Sequence, residues 1–220
     1  MVKEIKVMAK SQIIKDIVLD NISLESALYR LLVITYSLRN EELLLWVESE
    51  LNGYSEERLI PSYRKNVSYK ILYTGFNANT KVTNQPLSES YFDKEVREIL
   101  KNRVIRSGIN IVEEILKNDR ESSYNLIELA GMVSKNSEEY IKCARLEQVL
   151  SRTNYSKLIS NVKFKIIEIL LDLEQEFGIL DNLDIDTSDK TEDELNKVND
   201  KITKKLYFDG SSGDFFSGNF

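Results

Sequence analysis

Carboxylates are the side chains best placed to do chemistry in this chain, which carries 36 Asp and Glu residues, several of them close neighbours. Two carboxylates in an apolar pocket can divide acid and base duties, one protonated and the other ionised. The pairs Glu48 and Glu50, Glu113 and Glu114, and Glu138 and Glu139 instead occupy helical or turn positions, where solvated faces are expected. The acidic run from Asp181 to Asp193 resembles a cation loop in composition only, because it lacks the glycine at the sixth place of a calcium loop.

Other chemistries are removed by composition. The chain has no histidine and one cysteine, Cys143. A Ser–His–Asp triad and a Cys–His nucleophile are therefore impossible within it, and the commonest zinc ligand is missing. Cys143 reads as a small buried side chain, and a disulfide within the chain is excluded. The GxxG of Gly210–Gly213 has no following lysine, so no phosphate loop is recognised. No catalytic residue, cofactor site or metal site is expected.

The charge pattern narrows the partners. Of the net −6, all falls in residues 181–200, which hold eight acidic side chains against two lysines. The remainder is close to neutral and has no Lys/Arg block, which disfavours nucleic acid. The first residues, MVKEIKVMAK, have no apolar core of a secretory signal, and no apolar stretch reaches the ~20 residues of a membrane span. A cytoplasmic protein is expected, in keeping with the lone thiol.

These residues must be held by elements that periodicity locates. Ile13, Ile14, Ile17 and Val18 have helical spacing. Ser23 is a natural N-cap for LESALYRLLVITYSL, where Leu24, Ala27, Leu28, Leu31, Thr35 and Leu38 form a stripe that Leu32, Val33 and Ile34 widen. Asn40 caps a third helix with Leu44, Val47 and Leu51 inward and Trp46 off that stripe. Gly53 fits a left-handed helix stop, Tyr54 a residue packing back on the last turn, and Pro61 forbids further helix. Residues 67–76 read as a strand, with a weaker one at 81–83. Helices follow in FDKEVREIL and INIVEEILKN, whereas 124–137 and 140–150 are ambiguous. Residues 154–177 carry a long seam through Tyr155, Ile159, Val162, Ile166, Ile169 and Leu173, suited to core packing or to a partner helix.

Beyond Gly178 the chain is acidic, with Thr191 and Glu194 forming a capping box for a polar helix over 192–205. It continues LYFDGSSGDFFSGNF, whose aromatic residues suit either a docking tail or packing on the chain's own domain. The expected organisation is a helical bundle at 1–64, an α+β remainder at 65–178, an acidic linker at 179–205 and a Gly/Phe-rich tail at 206–220. Trp46, Tyr63, Arg64, Phe215, Phe216 and Phe220 are the candidate interaction residues.

The run WVESELNGYSEERLIPSYR resembles the AbiTii domain of bacterial abortive-infection systems, through Trp46, Glu50, Leu51, Asn52, Gly53, Tyr54, Pro61, Tyr63 and Arg64. The likeness extends upstream through SALYRLLVITYSL and SQIIKDIVLD. Downstream, LISNVKFKIIEILLDLE is similar to the family's late helix, with Lys163 where arginine is usual. The resemblance implies a bacterial role in defence against phage and an extended segment at 140–150; it carries no reaction. The expected fold is α+β and mainly helical, with an N-terminal three-helix bundle, a small antiparallel sheet and a long C-terminal amphipathic helix. Two functions fit. One is a non-enzymatic assembly protein, acting as a homo-oligomer or with a second defence protein docked through the tail, and triggered by a phage component. The alternative is a toxic effector enzyme, such as a metal-dependent nuclease built from scattered carboxylates.

Overall fold

The computed structural model describes residues 10–118 and 122–207. In chain order, α1 (Gln12–Val18), α2 (Leu24–Leu38) and α3 (Glu41–Asn52) precede strands β1 (Tyr69–Asn77) and β2 (Thr80–Pro86). Helices α4 (Lys94–Lys101) and α5 (Ile109–Lys117), strand β3 (Ser123–Asn125) and α6 (Ala130–Asn136) come next. Strand β4 (Ile141–Leu150), the long α7 (Arg152–Phe177) and α8 (Glu192–Tyr207) complete the described chain. The α+β class, mainly helical with a small antiparallel sheet and one long late helix, is as expected. The chain divides into two compact units, one holding residues up to Ser62 and from Asn161 onward, the other Tyr63–Ser160.

In the first unit the caps form where composition places them. The Ser23 hydroxyl accepts from the Ser26 N–H, and the Asn40 side chain accepts from Leu43 N–H. The Thr191 hydroxyl and Glu194 carboxylate exchange bonds with each other's backbone N–H groups, closing the capping box of α8. That helix runs through Tyr207 and buries Val198, Ile202 and Leu206, so residue 206 is core rather than the start of a tail. Its lysines Lys201 and Lys205 meet Asp172 of α7 at 3.0 and 2.5 Å. The inner seam of α7 is buried through Val162, Ile166, Ile169, Leu170 and Leu173, which makes it core.

The start of α1 is capped from a distance. Ser11 makes no side-chain cap of its own; instead Glu174 of α7 accepts from the Ser11 N–H at 2.7 Å and its hydroxyl at 2.5 Å. Asp181 takes the next N–H, that of Gln12, at 2.6 Å. Two carboxylates thus serve donors that a helix start leaves unsatisfied, at its positive end.

Gly53 ends α3 with φ +93° and ψ 167°. This is not the left-handed helical conformation expected of it, but an extended one with positive φ that is essentially reserved to glycine. Tyr54 packs back as expected, its hydroxyl donating to Glu50 at 2.7 Å.

The second unit is built on a four-stranded antiparallel sheet of order β2-β1-β4-β3. The strand expected at 67–76 and the extended segment expected at 140–150 form its centre as β1 and β4, with Tyr69 opposite Leu150 and Tyr73 opposite Leu146. Edge strand β3 is only three residues long, which limits pairing at that edge. Ile71, Tyr73 and Leu146 of the sheet pack with Phe92, Leu100 of α4 and Val133 of α6. Cys143 is half-buried against this cluster, and burial pushes its thiol up, away from reactivity.

Two stability tests follow from these contacts. Burial alone would raise the Glu174 carboxyl, but the bonds from Ser11 and Lys10 outweigh it and hold the group below its ordinary 4.5. Because the folded value is the lower one, this contribution is complete above the unfolded value and fades as pH falls through the folded value. Ser11→Ala is expected to cost ~1–3 kcal/mol in urea melts at neutral pH. The deficit relative to wild type should shrink in melts repeated at progressively lower pH; a constant deficit would mean that the carboxylate is not involved. Gly53→Val should cost ~1–3 kcal/mol through its forbidden φ and ψ, and an unchanged melt would show that the turn re-forms otherwise.

Candidate interaction surface

The interaction residues named from sequence do not come together. Trp46 is fully buried within the first unit, on the α3 face that also carries Leu43, Val47 and Glu50. Val47 and Leu51 of the expected Leu44–Val47–Leu51 stripe are buried, whereas Leu44 is only half-buried and Leu43 and Trp46 take the inward positions beside it. Three consecutive leucines at 43–45 let periodicity fit either phase, and the bulk of Trp46 decides it. Glu50, expected in solvent, is wholly buried beside Tyr54. Tyr63 is half-buried. Phe215, Phe216 and Phe220 lie outside the described residues.

Arg64 is fully enclosed in the second unit, at the end of a short 3-10 turn from Ser62. Its guanidinium donates to the carbonyls of Ile105 and Ser107 at 2.8 and 2.9 Å, and its own carbonyl accepts from the Ile105 N–H. One side chain thereby fixes the loop between α4 and α5. Its planar fork, with several donors in fixed directions, suits this better than a lysine would.

The carboxylates have structural partners or face solvent. Asp184 accepts from the Ser37 hydroxyl, Asp186 from the Ser188 N–H, and Glu139 from the Ser134 hydroxyl. Among the described residues, no group of three or more His, Cys, Asp or Glu side chains is arranged to hold a metal ion.

A surface the sequence reading missed lies on α2. Its inner face buries Leu24, Ala27, Leu28, Leu31, Ile34, Thr35 and Leu38, as expected. Val33, expected to widen that stripe, points outward and is 52 % exposed, in line with Tyr29 at 52 % and Tyr36 at 66 %. Spacings of four and three put these three on one face. A solvated helix face is normally charged, yet from Leu31 to Leu38 there is no charged residue. Charges flank this stretch at both ends: Arg30, paired with Asp16 at 3.1 Å, and the exposed Arg39 that ends the helix. The upper part of this face meets Leu183 across a shallow groove of about 350 Å³. The signal in the sequence was the missing charge, not the spacing of apolar residues.

With this architecture in view, comparison with known proteins is decisive at the family level. The AbiTii family model matches residues 10–199. The chain belongs to the AbiTii family. No curated protein and no solved structure matches it. Membership suggests an abortive-infection protein of bacterial phage defence. The AbiTii match spans both units, and among the described residues no helix is long and apolar enough to cross a membrane.

The role of Arg64 is open to direct test. Arg64→Met would leave two carbonyls without their donors and is expected to cost at least ~1–3 kcal/mol. Thermal melts should show it, and hydrogen exchange should rise at the Ile105 amide. Unchanged exchange there would mean that the loop is held without the guanidinium.

Proposed function

We propose that this AbiTii-family chain is a non-enzymatic assembly protein of the bacterial cytoplasm, acting in abortive infection through association with a second copy of itself. The observation that supports this most is the uncharged outward face of α2, with Tyr29, Val33 and Tyr36 exposed. Its layout suits self-association. With Val33 near the middle and a tyrosine toward each end, an antiparallel two-fold apposition brings valine against valine and Tyr29 of each copy toward Tyr36 of the other. That is the isologous arrangement of most dimers. Tyrosine also gives large contact area at low entropic cost, and its hydroxyl tolerates solvent when the chain is alone. The aromatic tail, with Phe215, Phe216 and Phe220, supplies a second contact, to the same assembly or to another defence protein.

Light scattering on the purified full chain tests the reading. The wild type is expected to show a concentration-dependent mass above that of one chain. Tyr36→Glu should weaken association by about tenfold or more, since it places a charge in a desolvated contact (~1.4 kcal/mol per decade). Helical circular dichroism should stay unchanged, because Tyr36 is a surface residue. A chain truncated after Tyr207 reports on the tail separately and spares the buried Leu206. A single-chain mass for the wild type at all concentrations would overturn self-association, and an unaltered mass for Tyr36→Glu would remove α2 from it.

A further inference from the structure

A second surface, in the other unit, carries features of a ligand site. The end of α4, the loop after it and β3 enclose a cleft of about 530 Å³ lined by Ile99, Asn102, Arg103, Arg106, Ser107 and Tyr124, with Glu98 also contributing. The volume falls within the range of small-molecule sites. Arg103 is held there by two partners. Its Nε donates to Gln148 Oε1 at 3.0 Å, and its guanidinium lies 4.4 Å from the centre of the Tyr124 ring. Gln148 is fully buried, and its Nε2 donates in turn to the Leu100 carbonyl at 2.8 Å, which sets the orientation of the amide.

This wiring is unusual for an arginine on a cleft wall. Both partners that hold it, an amide and an aromatic ring, are neutral, and among the described residues no carboxylate forms an ion pair with it. Fixing the side chain removes rotamer entropy that binding would otherwise cost. It also leaves the two Nη groups, four donors in a planar fork, to serve something else. A fork of that kind matches an oxyanion in bidentate geometry. Beside it, Ile99 is 63 % exposed and Tyr124 37 %, giving apolar and flat surface next to the charge. The loop itself is held from behind by Arg64, so the cleft wall is preformed.

We infer that this cleft binds a small phosphorylated ligand with a flat ring, of the nucleoside monophosphate class, with the phosphate on Arg103 and the ring against Ile99 and Tyr124. This goes beyond self-association and does not depend on it. Titration calorimetry on the full chain with adenosine and guanosine monophosphates, the matching nucleosides and inorganic phosphate tests it. At least one monophosphate is expected to bind saturably, and at least tenfold more tightly than its nucleoside or phosphate alone. Arg103→Lys keeps the charge but not the fork and should weaken binding tenfold or more. Tyr124→Ala, at an exposed position, should weaken it severalfold. Glu98→Gln removes the one negative charge among the described lining residues and should tighten it. Absence of saturable heat with either monophosphate overturns the site. Equal binding of inorganic phosphate overturns the nucleoside assignment, and undiminished binding by both Arg103→Lys and Tyr124→Ala overturns the placement.

Discussion

The first unit depends on one buried carboxylate. Glu174 sits on α7 and accepts from the Ser11 N–H, the Ser11 hydroxyl and the Lys10 ammonium, partners more than 160 residues away in sequence. The Ser11 hydroxyl accepts in turn from the Leu180 N–H just beyond α7. An ionised carboxylate out of water is costly unless its lone pairs are filled. Here they are filled by the start of α1, so the charge is tolerated only when α1 and α7 are in place. A similar device joins α7 to α8, where Asp172 meets Lys201 and Lys205, and Lys165 donates to the carbonyl of Lys205 near the helix end. Polar contacts of this kind define which helix faces meet, whereas the apolar seam supplies most of the burial energy.

Much of the fold was legible because its signals are local. Caps at Ser23, Asn40 and Thr191 act within one turn, and each formed. The strand at 69–77 announced itself through Val, Ile, Tyr and Phe. The seam of α7 showed because its apolar residues recur from Tyr155 to Leu173, over about five turns. The rest was illegible for identifiable reasons. Strands β2 and β3 lie at sheet edges and expose most of their side chains, so β2 showed only as a weak strand at 81–83 and β3 not at all. Glu50 reads as solvated until Tyr54 is seen to reach it, and the phase of α3 is undetermined by three leucines in a row. The Ser11–Glu174 contact leaves no trace in local pattern at all.

The outward face of α2 shows how an apolar residue misleads when only periodicity is counted. Tyr29, Val33 and Tyr36 belong to a helix whose inner stripe is already complete with Leu24, Leu28, Leu31 and Leu38. A second apolar stripe contributes little to folding and lowers solubility, unless something covers it. Composition hinted at this through the charge-free stretch from Leu31 to Leu38. Trp46 is the opposite case. It looked like a contact residue because tryptophan is rare and sits in a family motif, yet burial makes it part of the packing that holds α3.

Three charged side chains separate architecture from function. Glu174 is surrounded by donors and Arg64 by carbonyls, so each is spent in fixing chain segments together. Arg103 is fixed by Gln148 and Tyr124 but not neutralised by them, and it faces a cleft rather than a core. Folding stability would be served as well by a leucine or a paired lysine at such a position. Natural sequences break a local rule of this sort chiefly at functional or strained sites. The same reasoning applies to α2, where an uncharged strip breaks the rule for solvated helices. Where the chain satisfies its own polar and apolar groups it builds a scaffold; among the described residues, the fork of Arg103 and the strip of α2 are two places left open to another molecule.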